Sequence, residues 1–149
     1  VKEAAAKALA PFEDEGENPY TIQQDLQETM QRLVGIIRNA DELTESLAEI
    51  DKLRERASHL SVEGHRQYNP GWHLALDLPH MLTVSECIAR AALERQESRG
   101  GHTRDDFPGP DEEWGTKNLV VSLDADGTGV DLAEKPLPVM PDELKQYFQ

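Results

Sequence analysis

Three stretches with apolar residues at helical spacing, joined by short connections, constrain this chain more than any other feature. In the first, residues 20–38, Ile22, Leu26, Met30, Leu33, Val34 and Ile37 fall within roughly a 120° arc. Gln23, Gln24, Gln27 and Gln31 cover its other side. The second, residues 42–59, carries Leu43, Leu47, Ile50, Leu53 and Ala57 on one strip, with Asp51, Lys52, Arg54, Glu55 and Arg56 as a solvated face. The third, residues 72–99, is roughly 42 Å long at 1.5 Å per residue and aligns Leu74, Leu78, Met81, Ser85, Ile88 and Ala92. The breaks fall at residues 39–41 and in the glycine- and proline-bearing loop 61–71. Pro79 removes one helical hydrogen bond and crowds the preceding turn, so a kink or a break is expected near 75–79. Helix formers up to Arg99, followed by Gly100 and Gly101, read as a helix stop.

These signals predict a mainly α fold: an antiparallel, spectrin-repeat-like three-helix bundle, then a small β-hairpin and an extended C-terminal tail. Residues 1–19 read as a helix end over Lys2 to Leu9, stopped by Pro11, with an acidic loop after it. Asn18–Pro19 opens the first long helix, because proline suits the first turn. The bundle occupies residues 20–110, and 111–149 form the hairpin and tail. Asn118 to Leu123 and Val130 to Ala133 are β-prone around the turn-forming residues 124–129. Beyond Lys135, three prolines favour an extended path, with one helical turn at 142–148.

A formal net charge of -14 argues against nucleic acid, whose phosphates call for clustered Lys and Arg. The single cysteine, Cys87, excludes an internal disulfide framework and fits a reducing compartment. No apolar run approaches the roughly 18 residues of a membrane span, so direct membrane insertion is not expected. The N-terminus shows no signal-peptide pattern. It also lacks an initiator Met, which fits a piece of a longer chain.

The densest polar cluster is Glu97, Arg99, His102, Arg104, Asp105 and Asp106. It reads either as an anion or acid/base site, or as a helix end whose charges lock against a neighbouring domain. Arg99, in the last turn of the third helix, would suit the negative end of the helix dipole. Asp124-x-Asp126-x-Thr128-Gly129 imitates the start of an EF-hand loop, but Lys135 stands where the bidentate Glu is needed, so a hairpin turn is favoured. The five histidines are too scattered for a zinc site. Tyr68, Trp72 and Trp114 read as packing residues at the bundle's ends. No GxGxxG follows a strand, and no P-loop or GxSxG is present.

The run Glu97-Ser-Arg99-Gly100-x-His102-x-Arg104-x-Asp106-x-Pro108 resembles the signature that ends the C-terminal helical domain of succinate dehydrogenase and fumarate reductase flavoproteins. L-Aspartate oxidases share it, but tend to end sooner than this chain does. Asn18-Pro19-Tyr20 with Leu26-x-x-x-Met30, and Tyr68-Asn69-Pro70 before the third helix, add to the likeness, which is actinobacterial in type. Gly101 replaces an alanine often found there, and Pro79 departs from the usual third helix.

The resemblance implies a subunit that oxidises succinate to fumarate with covalently bound FAD and passes electrons to an iron–sulfur subunit and on to quinone at a membrane anchor. The parent would sit in the cytoplasm at the inner face of the bacterial plasma membrane. FAD would be held by the flavin-binding and capping domains of the same subunit. No position here matches the family's catalytic, cofactor or metal residues, so none is carried over and the domain alone is expected to be inactive. Glu97, Arg99, His102, Arg104, Asp105 and Asp106 are then expected at an interdomain contact, and the hairpin and tail of residues 111–149 are expected to pack on the parent subunit. Two other expectations stand beside it: His102 as proton donor and Arg104 as carboxylate clamp in the assembled enzyme, or an acidic helical interaction module unrelated to flavin chemistry.

Overall fold

The structure, a computed structural model, describes residues 1–125 and 129–147. Asp126, Gly127 and Thr128 of the expected turn, and Phe148 of the last helical turn, lie outside the described residues. In chain order the elements are α1 (Lys2–Leu9), α2 (Pro19–Leu33), β1 (Ile37–Arg38), α3 (Ala40–Arg56), α4 (Pro70–Glu94), β2 (Thr103–Arg104), β3 (Lys117–Leu123), β4 (Val130–Pro136) and α5 (Asp142–Lys145). Helices α2, α3 and α4 pack on one another in all three pairings, which is the expected bundle.

One residue type opens all three bundle helices. The Oδ1 atoms of Asn18, Asn39 and Asn69 accept from the backbone N–H groups of Tyr20 (2.9 Å), Glu42 (2.9 Å) and Trp72 (3.1 Å). Each bond satisfies an amide that has no partner inside its own helix. Pro19 and Pro70 occupy the first helical turn, where a missing N–H does no harm.

The core is aliphatic. Ile22, Leu26 and Leu33 of α2 meet Leu43, Ile50 and Leu53 of α3 and Leu74, Leu78, Leu82 and Ala89 of α4. The charged residues expected as a solvated face of the second helix are partly used for packing. Arg54 bonds Glu86 of α4 at 2.6 Å, and Arg56 bonds Asp25 of α2 at 2.7 Å and also holds Glu17.

The limits of all three helices differ from expectation. The first helix stops at Leu33; a Cβ on Gly35 would lie 2.8 Å from the Gln31 carbonyl oxygen, and the Arg38 Nε–H donates to the carbonyls of Val34 (3.2 Å) and Gly35 (2.6 Å). Ile37, expected on the core strip, is therefore 61% exposed in β1. The second helix begins at Ala40 and ends at Arg56. The third spans Pro70–Glu94 without a break at Pro79, and ends before Arg99.

The buried strip of α4 also lies to one side of the expected one. Leu82 and Ala89 are buried, whereas Ile88 is 44% exposed. Met81, Leu82, Val84, Ile88 and Ala89 put apolar residues nearly all round this part of the helix, so periodicity alone allows either strip. Trp72 packs as expected, its ring against Phe12 and its Nε1–H on the Ala8 carbonyl at 2.6 Å. Tyr68 does not. It is 98% exposed and sits at φ 56 in the turn before Asn69.

After the bundle, β3 and β4 form the expected antiparallel hairpin, with Lys117 opposite Pro136 and Leu123 opposite Val130. The tail beyond it is exposed along its described length.

Candidate functional site

The backbone leaves α4 at Arg95, which is extended, and folds back on itself. Arg99 and His102 exchange backbone hydrogen bonds of 2.8 and 3.0 Å across Gly100 and Gly101. Gly100 has φ +59, a region open to glycine at little cost, in the position a tight two-residue turn requires. The glycine pair is thus the tip of a small hairpin, and the helix stop lies earlier. A Cβ on Gly101 would meet nothing within 4 Å, so the alanine common in the resembling family fits here too.

That hairpin carries Arg104 into the interior. Its side chain is 1% exposed. Nη1 donates to the carbonyls of Ala92 (2.8 Å) and Leu93 (3.0 Å), which are left unpaired at the C-terminus of α4. Nε and Nη2 form a two-pronged bond to Asp106, 2.7 Å each, and the guanidinium lies over the Phe107 ring at 5.0 Å. Asp106 Oδ2 also accepts the Ala40 N–H at 2.9 Å, at the N-terminus of α3. One ion pair therefore places its cation at the negative end of one helix and its anion at the positive end of another. Arg99, expected to serve α4's dipole, lies past the helix; Arg104 does so instead.

Glu97 anchors a second network. It is fully buried and holds Arg95 on Oε1. Arg99 Nε reaches its two oxygens at 3.0 and 3.1 Å, and the Asp111 N–H donates to Oε2 at 2.9 Å. Hydrogen bonding from Arg99 holds the Glu97 carboxyl down at about 2, against its burial. Asp106 is likewise held at about 2, chiefly by Arg104 and also by the Ala40 N–H. Arg95 continues outward over the Trp114 ring at 5.0 Å and donates to the Lys117 carbonyl at 3.1 Å, which ties β3 to the end of α4.

His102 lies between these networks. Arg38 Nη1 is 3.0 Å from Nδ1, and the Arg95 carbonyl is 3.0 Å from Nε2. A guanidinium only donates, so Nδ1 must accept and Nε2 carries the proton. Desolvation, opposed by the bond to the Arg95 carbonyl and reinforced by the neighbouring cations of Arg38, Arg104 and Arg95, lowers its pKa. Both nitrogens are engaged inside the chain. Parallel pairing of Thr103–Arg104 with Ile37–Arg38 fixes the strand that presents His102.

Five of the six residues singled out from sequence thus enter these networks, while Asp105 contributes only its backbone N–H, bonded to the Arg38 carbonyl at 2.9 Å. Sequence reasoning missed Arg38 and Arg95. Arg38 sits 64 residues from His102, and no local pattern marks it. Arg95 could have been found, since it lies two residues before Glu97. Ser98, also missed, accepts the Arg104 N–H at 2.8 Å and donates to the Phe107 carbonyl at 2.7 Å.

The profile of the family described as "Fumarate reductase flavoprotein C-term" matches residues 23–146. The chain belongs to that family. A fumarate reductase flavoprotein subunit of Mycobacterium tuberculosis is 37% identical over 114 residues, which is 76% of this chain and 20% of the relative. Among solved structures, the Mycobacterium smegmatis Sdh1 complex in the apo form contains a chain 44% identical to this one. The match covers 100% of this chain and 26% of that one, with a TM-score of 0.92. E. coli quinol fumarate reductase FrdA matches over 94% of this chain and 25% of its own, at 26% identity and a TM-score of 0.79. This chain thus spans about a fifth to a quarter of the flavoproteins it matches.

The family is one of oxidoreductase flavoproteins, which raises the question of whether a flavin dinucleotide fits here. The described residues of this family member do not suit one. No strand among them leads through a glycine-rich turn into a helix N-terminus, the arrangement that cradles a pyrophosphate. The N-terminus of α3 is already taken by Asn39 and Asp106.

Proposed function

We propose that this chain is the C-terminal domain of an FAD-dependent succinate dehydrogenase, one that supports the flavin and substrate domains and performs no catalysis alone. The observation that carries this reading is the match to Mycobacterium smegmatis Sdh1, 44% identical over the whole chain. In this reading FAD lies in the flavin-binding and capping domains of the same subunit and takes the electrons of succinate. They pass to an iron–sulfur subunit and then to quinone at a membrane anchor, on the cytoplasmic side of the plasma membrane. No described helix is long and apolar enough to cross a membrane, which agrees with a peripheral position.

The motif's part is positional. Glu97 and Arg104 are consumed by bonds inside the domain, so they set the shape of the segment rather than reach across a junction. The exposed side chains of Arg99 and Asp105, with the outer edge of Asp106, then meet the flavin-bearing part of the subunit. His102 spaces them by holding Arg38 and the end of α4 together.

The test uses the complete flavoprotein subunit. Arg104→Ala should lower its melting temperature and FAD retention, while turnover per bound flavin in a succinate–dye assay stays near that of the unaltered subunit. Normal flavin content and stability with turnover lost would make Arg104 a substrate ligand and overturn the supporting role. Fumarate reduction outpacing succinate oxidation at matched driving force would replace the dehydrogenase assignment with a reductase.

A further inference from the structure

The two edges of the β3–β4 ribbon are built differently. Asp124 donates its N–H to Gly129 at 3.1 Å and Leu137 donates to Thr116 at 2.8 Å. With the register of the ribbon, these bonds make Asn118, Val120 and Ser122 the β3 residues that bond to β4. The N–H and C=O groups of Lys117, Leu119, Val121 and Leu123 therefore point away from β4. Arg95 takes the Lys117 carbonyl, and among the described residues nothing bonds the outward groups of Leu119 or Val121.

The β4 edge is protected. It carries Asp131, Glu134 and Lys135, and Pro136 removes an outward N–H. The β3 edge is not. From Asn118 to Leu123 it has no charge and no proline, and it is rich in β-branched and aliphatic residues. Among the described residues from 117 to 147 none is buried. One face, through Leu119, Val121 and Leu132, is half-buried and both strands touch α4, but two strands with so little cover are marginal in water. Yet the match to Sdh1 extends over this whole chain, ribbon included, within a polypeptide nearly four times as long.

Resting on the flavoprotein reading above, we infer that the outer edge of β3 receives an extended strand from the flavin-bearing remainder of the same subunit. The added strand pairs with the backbone of Leu119, Val121 and Leu123. Supply from the same polypeptide gives it a high effective concentration, so the pairing does not require a tight intrinsic affinity.

Residue-resolved amide exchange on the intact, flavin-loaded subunit tests this. The amides of Asn118, Val120 and Ser122 are bonded to β4 and report, in each setting, whether the ribbon itself is formed. Those of Leu119, Val121 and Leu123 should exchange at least about 100-fold more slowly in the intact subunit than in the dilute 149-residue chain, as expected for amides moved from open solvent into a ladder. Fast exchange of these three in an active, flavin-loaded subunit would overturn the inference and leave the flavoprotein reading standing. Slow exchange in the dilute 149-residue chain would mean that the domain closes its own edge. Slow exchange there only at high concentration would assign the edge to a second copy; either result overturns the inference. A subunit that binds no flavin and leaves succinate unchanged would instead overturn the functional reading. Val121→Pro removes one outward N–H and no bond to β4. It should release protection at Leu119 and Leu123 and lower the melting temperature of the intact subunit alone; an unchanged melt would count against the strand.

Discussion

The bundle with its motif and the ribbon with its tail are two solutions to the same chain's burial problem. Up to Arg104 the chain buries an aliphatic core and satisfies every buried side-chain polar atom among the described residues. Beyond Arg104 no described residue is buried, although Leu119, Val121, Leu132, Leu137, Val139, Met140 and Tyr147 are apolar or aromatic. The first part has the means of its own stability; the second borrows it. Arg95 helps to join them, spanning Glu97, the Trp114 ring and the Lys117 carbonyl, and both strands of the ribbon also touch α4.

The largest effect expected on this contrast comes from Arg104. Truncation to alanine strands the Asp106 carboxylate and unpairs the carbonyls of Ala92 and Leu93. Breaking a buried ion pair by removing one partner costs about 3–5 kcal/mol. Chemical denaturation of the 149-residue chain should show a loss of that order. Arg104→Lys should recover only part of it, because an ammonium cannot bridge both helix ends at once. Leu78→Ala, in the centre of the bundle, should cost about 2–5 kcal/mol. A loss below about 1 kcal/mol at either position would blur the distinction between the two parts.

Acid sharpens the comparison next. Glu97 and Asp106 are held at about 2 in the folded chain, whereas free carboxyls titrate near 4. A depressed folded-state pKa gives stability that is present above the unfolded value and is lost as pH falls through the folded one. Melting temperatures should therefore be level from neutral pH down to about 5 and fall between about 4.5 and 2. Glu97→Gln should flatten part of that fall. An unchanged acid profile in Glu97→Gln would show that the carboxylate's charge does not carry the network.

How much of this was legible follows the same division. Helix count and most core positions came from periodicity, because burial on one side of a rod leaves a local trace in sequence, and the hairpin came from turn-forming residues between two β-prone runs. The helix start at Asn18 was marked by the proline after it, whereas Asn69 was read as loop although Pro70 follows it. Asn39, which no proline follows, was not marked. Residues 95–99 read as helix because their composition is helical. What ends α4 is a carbonyl cap supplied by Arg104, about ten residues further on, and a local window holds no record of it. The partnership of His102 with Arg38 was illegible for the same reason at greater range. Composition did bring the motif's charges together, but which of them turn inward depended on β1 and β2 pairing, two residues each.

The smallest expected effect lies in the ribbon. Leu132 faces Val121 across the hairpin and is only half-buried. In the 149-residue chain Leu132→Ala removes little covered surface, and the change should stay below about 1 kcal/mol, near the range for cross-strand pairs. If the ribbon is completed by other parts of a flavoprotein subunit, the same substitution there should cost more, approaching the roughly 2–5 kcal/mol of a buried leucine. Equal costs in the two settings would mean that the ribbon stays uncovered in the longer protein, and would break the contrast between a region that buries itself and one that waits to be buried. The bundle supplies the control: Leu78→Ala should cost the same in both settings, because its surroundings are complete within this chain.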